Sequence, residues 1–411
     1  VKLRSFKTGF IVFVAMLLAI PLGVMGCGEE SEGEYIRIGI MGGQTGPAPD
    51  VVSALIDEIE LIFNYINEVE DGINGAQLKW QIEDNKGTPA GAITAYRTLK
   101  ETFDPLMYIA VEDYLLLGEK DNINEDKSVI FTASAIMPDI FELPSRFFAL
   151  PIPTSDGFGG FIDWAIDDFT GTGTPKIGVL TWGPPLTSGF QWKMALPYTM
   201  GLGVETVEST YNITDIDLTA PLTVLKTAEV DYIWMQGVTG NAAVAIGNFL
   251  GLDFDYDDDN VVDAKFCFSE YIESHKLIEM VGSAAAGFYV YRSETPWSDD
   301  SVAAQLYTDI YEHAGTNNAW SDMRHLITFK YILEDAVSKA MVGNNSVEDL
   351  NGEDIYQALL DMIEIDTRGN TGDFGYGPNK RIGVSTMKIA QFTATGTVSV
   401  SDEIQLPRTF E

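Results

Sequence analysis

The chain has 411 residues, with 25 lysines and arginines against 61 aspartates and glutamates, a formal charge of −36 at pH 7. A surface this acidic repels phosphate backbones, which are bound by cations that displace counterions, so nucleic acid and polybasic membrane contacts are excluded. Hydrophobic residues at 45% and aromatic residues at 11% exclude a disordered chain, and two cysteines exclude a disulfide scaffold or a four-cysteine zinc site.

Residues 1–26 read as an export signal. Lys2, Arg4 and Lys7 form a positive start, and Phe10–Ile20 is an unbroken apolar run of 11 residues. That run is short for a membrane span, which takes roughly 20 residues, and suits a signal core; a retained anchor helix is the rival reading. Val24-Met25-Gly26-Cys27 resembles a bacterial lipobox, which makes Cys27 the residue expected to carry lipid. Residues 27–34 are then an acidic tether. Export takes the chain away from ATP and NADH, which argues against kinase and dehydrogenase chemistry. The other cysteine, Cys267, lies in an apolar strand-like run and is expected to be a buried, inert thiol.

From Tyr35 onward strand and helix patterns alternate. Tyr35–Met41 is an apolar strand. Val51–Glu70 has apolar residues at helical spacing, with Asp50 as the expected cap. Gln77–Glu83 predicts a strand, Pro89–Phe103 a helix, Leu106–Val111 and Ser128–Thr132 strands, and Asp156–Phe169 a helix. Gly171-Thr172-Gly173-Thr174-Pro175 breaks the pattern, which restarts with strand Lys176–Trp182, helix Ser188–Met200, strand Val204–Tyr211, helix Ile216–Ala228, strand Val230–Gln236, helix Asn241–Leu250 and strand Ala264–Phe268. Val302–Ile363 reads as mostly helical, and Ile382–Phe392 and Thr397–Ile404 as strands. Alternation of this kind predicts an α/β fold of two doubly wound parallel-sheet lobes covered by helices on both faces.

Catalytic signatures are missing. The sequence contains no G-x-S-x-G, H-E-x-x-H, C-x-x-C or phosphate-loop pattern, and His275, His313 and His325 fall in separate elements. No catalytic residue and no required cofactor is expected. Asp255, Asp257, Asp259 and Asp263 alternate as a short calcium loop would, with Asn260 at the place that tolerates a left-handed backbone. Phe266 replaces the bidentate glutamate of an EF-hand, so the segment reads either as a small calcium loop or as a solvated acidic loop.

Ile36-Arg37-Ile38-Gly39-Ile40, Gln44-Thr45-Gly46-Pro47, Gly72-Ile73-Asn74-Gly75, Leu78, Asp84 and Pro89 together resemble the opening of the branched-chain amino-acid-type substrate-binding proteins of ABC transporters. Val129–Pro138 resembles the family's second ligand loop and Val230–Gly237 its strand in the second lobe. The resemblance implies the type I periplasmic binding protein architecture, with a three-crossover hinge between lobe 1 (35–153 plus 292–368) and lobe 2 (154–291 plus 369–411). It implies a ligand held between the lobes at the carboxyl ends of the strands, and hinge closure around it.

By the same resemblance the ligand residues are Gln44, Thr45, Asp113, Tyr114, Ser134, Ala135, Thr154, Trp182, Gln236, Glu270 and Tyr271. Glu270 would pair a cationic group, and Gln44, Thr45 and Ser134 would exchange hydrogen bonds. Glu112-Asp113-Tyr114 stands where the family places glycine and small hydroxyl residues to grip a carboxylate, so an amino acid, an amide, a polyamine-like cation or an aromatic acid are all open. The implied partners are a small molecule, an ABC permease and, through the lipid anchor, a membrane. The implied location is extracytoplasmic. A ligand sensor of the same fold without transport is the alternative, and an exported hydrolase a more distant one.

Overall fold

The structure, a computed structural model, describes residues 34–184, 187–257, 261–294, 301–315, 325–344 and 346–409. Cys27 and Asp259 lie outside the described residues. Within Glu34–Glu411 the chain builds two sheets.

The first sheet has the order β2-β1-β3-β4-β5 and is parallel throughout. Its strands are β1 (Tyr35–Gly42), β2 (Gln77–Asp84), β3 (Met107–Ala110), β4 (Ile130–Thr132) and β5 (Phe147–Ala149). Three of them, β3, β4 and β5, are buried along their whole length, as strands covered on both faces must be. The two faces can be read from β1 itself. A side chain on Gly39 would meet Leu99 of α2 (Pro89–Thr102), and one on Gly42 would meet Val52 and Ile56 of α1 (Pro49–Glu68). Glycine at these opposite-facing positions lets a helix approach each side of the sheet.

In α1 the buried residues Val52, Leu55, Ile56, Ile59, Ile62, Phe63 and Ile66 repeat every three or four positions and form one stripe. The expected cap moves, however. Pro49 opens the helix, so Asp50 falls inside the first turn and Ala48 becomes the N-cap. Proline already has the φ of a helical residue and no N–H to satisfy, while Asp50 complements the helix dipole from within.

The second sheet has the order β12-β11-β10-β9-β8-β6-β7, with β13 pairing β11. Its parallel part comprises β6 (Lys176–Trp182), β7 (Glu205–Tyr211), β8 (Tyr232–Met235), β9 (Lys265–Phe268) and β10 (Tyr289–Arg292). The antiparallel strands β11 (Thr386–Phe392), β12 (Thr397–Ser399) and β13 (Ile404–Gln405) follow late in the chain. Leu222 of α6 (Thr219–Thr227) and Phe249 of α7 (Thr239–Leu252) belong to a separate core on one face of this sheet. Phe158 of α4 (Thr154–Asp168) packs edge-on against Trp192 and Trp234 on the other.

The chain passes between the sheets three times: from β5 into α4, from β10 toward α9 (Val302–His313), and along the run that ends at β11. Between the last two passages, α9 and α10 (His325–Ala340) pack on α1, and Phe329 meets Phe131 of β4. Tyr376–Gly383 lies along the edge of the first sheet, where Ala149 accepts from Gly383 N and donates to Arg381 O.

Several elements escape the sequence patterns. Thr187–Ala195 is a 3-10 helix, leaving only Leu196–Gly201 of the expected helix as α-helical (α5). Strand β10 follows α8 (Ser274–Val281) and, at four residues, is too short to display a period.

Gly157 of α4 sits against the ring of Tyr291 in β10, where an added Cβ would come within 2.6 Å of the ring. Gly157→Ala is expected to cost about 1–3 kcal/mol in chemical unfolding despite alanine's better helix propensity. A neutral or stabilising result would show that α4 can slide on the sheet.

Candidate functional site

Both parallel sheets direct their carboxyl ends to one region. From the first sheet come the loops after β1, β2, β3 and β4. From the second come those after β7, β8 and β9. Where such ends face each other, loop residues and helix starts surround a common space.

The deepest part of this region is a buried polar junction. Asp113 is fully buried, and its carboxylate accepts from the Ser134 hydroxyl at 2.7 Å and from the backbone N–H groups of Ile136 and Met137 at 3.0 and 2.9 Å. Burial pushes its carboxyl up to about 6, against the pull of those hydrogen bonds. Ser134 Oγ also accepts from Asp113 N at 3.1 Å, so the β3 and β4 loops lock together. Ala135 N reaches the hydroxyl of Tyr271 from the second sheet at 3.5 Å, and Ala135 O accepts from Thr154 N at 3.1 Å. Burial pushes the Tyr271 phenol well up, and the Glu270 and Asp113 carboxylates add to the shift.

Glu270 lies alongside. Burial raises its carboxyl well above the ordinary range, and Glu294 adds to this, while Arg292 opposes it. Arg292, 6% exposed, donates to the carbonyls of Glu270 and Ile272 and to Ser274 Oγ, so it holds the loop that follows β9. His325 Nδ1 is 3.8 Å from Glu294, but burial and the Arg292 charge push the imidazole down to about 3. It is therefore neutral at pH 7 and makes no ion pair there.

Thus six of the eleven expected residues, Asp113, Ser134, Ala135, Thr154, Glu270 and Tyr271, meet at the junction between the sheets. Tyr114 is half-buried next to them, and its phenol is raised by burial and by Glu112 and Asp113. The others are placed differently. Thr45 is tied to Asp84, whose carboxylate accepts from its hydroxyl at 2.5 Å, and Gln44 is exposed beside it. Gln236 is fully buried inside the second lobe, where its Oε1 accepts from Thr181 and its carbonyl from Tyr211. Trp182, also buried, donates to Asn241 at 3.4 Å.

Outward from the junction lies a cavity of about 700 Å3. Its first-lobe wall is the loop after β1 and the first turns of α1, including Pro47, Val51 and Ala54. Its second-lobe wall includes Ile213, Val238 and Met280. None of the eleven expected residues lines it. The sequence signal for these wall residues is their position just after strands and at the starts of helices, a signal that gives direction but no side-chain identity.

Asp255, Asp257 and Asp263 converge until one carboxylate oxygen of each lies within 4.8 Å of the others. Asp263 also accepts from Tyr256 N at 2.5 Å. Cys267 is buried at 1% exposure, and burial pushes its thiol up, away from the reactive thiolate.

The fold is shared with solved binding proteins. The branched-chain amino acid ABC transporter protein from Thermus thermophilus with bound valine superposes with a TM-score of 0.79 at 18% identity, over 92% of this chain and 98% of that one. A fatty acid ABC transporter substrate-binding protein from Thermomonospora curvata gives 0.73 at 17% identity, over 92% and 94%. A leucine binding protein from Thermotoga maritima gives 0.70 at 15%, over 90% and 99%. No curated protein matches the chain by sequence. The profile of the periplasmic binding protein family matches residues 35–397, and with the two facing parallel sheets and the cavity between them, it establishes that this chain belongs to that family.

Proposed function

We propose that this chain is an exported, lipid-anchored substrate-binding protein of an ABC transporter. It captures a small polar molecule, such as an amino acid, an amide or an aromatic acid, between its lobes and passes it unchanged to a permease. The moving bodies are residues 35–153 plus 292–368 and residues 154–291 plus 369–411, except that Tyr376–Gly383, bonded to the edge of the first sheet, moves with the first body, and Cys27 carries the lipid. The observation that carries this reading is the cavity between the carboxyl ends of two separate parallel sheets, whose walls come from different lobes. A ligand there contacts both bodies and so favours the closed state, which is the difference a permease can read. The structural neighbours support the reading, since their names include proteins for valine and for fatty acid.

A thermal-shift panel of amino acids, amides, polyamines and aromatic acids tests it, because a ligand bound only by the folded state raises the unfolding midpoint. Mass spectrometry should return the bound compound chemically unchanged. Recovery of a hydrolysed product would replace the carrier with an enzyme.

The acidic loop is proposed as a structural calcium site. Asp255, Asp257 and Asp263 offer three of the six to eight oxygens that calcium takes. Added calcium is expected to raise the unfolding midpoint and a chelator to reverse the rise, with Asp257→Asn abolishing both. Identical midpoints with and without calcium would leave the loop as solvated acid.

A further inference from the structure

The walls of the cavity and the state of the junction beneath it bear on what kind of molecule fits, a question that rests on the binding-protein reading above. At the junction the donors of the loop after β4 are already engaged within the protein. The backbone N–H groups of Ile136 and Met137 and the Ser134 hydroxyl are committed to Asp113, and Ala135 N faces the Tyr271 hydroxyl. The open space lies further out, and it is a different chemical environment.

Its walls are largely hydrocarbon: Pro47, Val51 and Ala54 on one side, Ile213, Val238 and Met280 on the other. The volume of about 700 Å3 sits within the range of small-molecule sites, about 300–1,000 Å3. Its charged groups are Asp50, Glu273 and Lys276, and Lys276 is itself 3.4 Å from Glu279. Two acids against one neighbour-paired lysine, in a chain of charge −36, disfavour a full anion. A full cation finds no buried carboxylate on these walls to offset its desolvation, since Asp50 is exposed and Glu273 half-buried. What the walls offer a polar group is backbone and the Thr239 hydroxyl, which accepts from Glu273 N at 3.0 Å. α1 and α7 both start at the cavity, from Ala48 and Val238, and neither N-cap supplies a side-chain acceptor to its helix. Their first-turn N–H groups suit an uncharged oxygen acceptor.

We propose that the outer cavity binds a neutral amphipathic molecule, an aliphatic or aryl body carrying one uncharged oxygen acceptor such as a primary amide. The body lies between α1 and the Ile213–Met280 wall, and the carbonyl oxygen faces the helix starts.

Calorimetric titration with octanamide, octanoate, octylamine and leucine tests this, the first three sharing one chain and differing in head-group charge. Octanamide should bind at least tenfold more tightly than the other three. Across pentanamide to octanamide, affinity should rise about fourfold per methylene, as burial of each in an apolar site requires. A Cβ at Gly240, on the cavity wall in the first turn of α7, would meet no atom within 4 Å. Gly240→Trp should therefore fill the space, weaken octanamide at least tenfold and leave the unliganded midpoint unchanged. Met280→Asp, at a half-exposed wall position, should weaken it similarly without affecting folding. Tighter binding of leucine, octanoate or octylamine, or octanamide binding indifferent to both variants, overturns the proposal while the binding-protein reading stands. Silence from all four compounds, with a hit elsewhere in the wider panel, does the same. Silence across both sets overturns the two readings together.

Discussion

Arg292→Met is expected to lower the free energy of unfolding by about 3–5 kcal/mol, the range for removing one partner from a buried charged network. The guanidinium sits at the last residue of β10, where the chain leaves the second sheet, and donates to two carbonyls of the loop after β9. Methionine keeps most of the volume and none of the donors. It would leave the carbonyls of Glu270 and Ile272 without this partner and remove the charge that opposes the mutual repulsion of Glu270 and Glu294. Because the same loop carries Tyr271, which reaches across to Ala135, ligand affinity should fall along with stability. Arg292→Lys should rescue only in part, since an ammonium on a flexible stem cannot span two carbonyls as a planar fork does. A urea titration that shows a loss under about 1 kcal/mol for the methionine variant would mean the loop is held by other contacts.

Asp113→Leu should be comparably damaging, on the order of 3–5 kcal/mol. It strands the Ser134 hydroxyl and two backbone N–H groups in a dry site, at about 1–3 kcal/mol each before the loop relaxes. Asp113→Asn keeps one acceptor oxygen and should cost less. The asparagine variant also carries a pH signature. The folded-state carboxyl titrates near 6, above its ordinary 3.8, so folding takes up a proton between these values. A group of this kind contributes stability that is fully present below pH ~4 and is lost as pH rises through ~6. Glu112 and Glu270 are raised by burial as well and act with the same sign. Unfolding midpoints should therefore increase from pH 7 toward pH 5, and Asp113→Asn should flatten part of that slope. An unchanged slope in the variant would assign the titration to the other buried acids.

Much of the molecule was readable from one dimension. The largely apolar runs of β6 and β8 and the stripe of α1 declare their structure locally, because a strand buried on both faces and a helix buried on one leave distinct periodicities. Strand Lys176–Trp182 coincides with its sequence pattern residue for residue. Thr187–Ala195, α8 and β10 were less legible. Four residues of β10 are too few to display a period, and they are held in place by β9 and β11 on either side.

The candidate site divides in the same way. The sequence by itself determined the acidic charge, the apolar leader with its cysteine, the α/β alternation and the strand ends at which ligand-contacting loops begin. These follow from composition and from backbone periodicity, which neighbouring residues encode. Only the tertiary structure decided that Asp113 turns inward to satisfy its own loops, that Gln236 and Trp182 serve the interior of the second lobe, and that the open space is walled by α1 and the Ile213, Val238 and Met280 side chains. Those outcomes depend on which donors and which apolar surfaces meet across 21 residues of chain (Asp113 to Ser134) and more, and local sequence carries no record of such meetings.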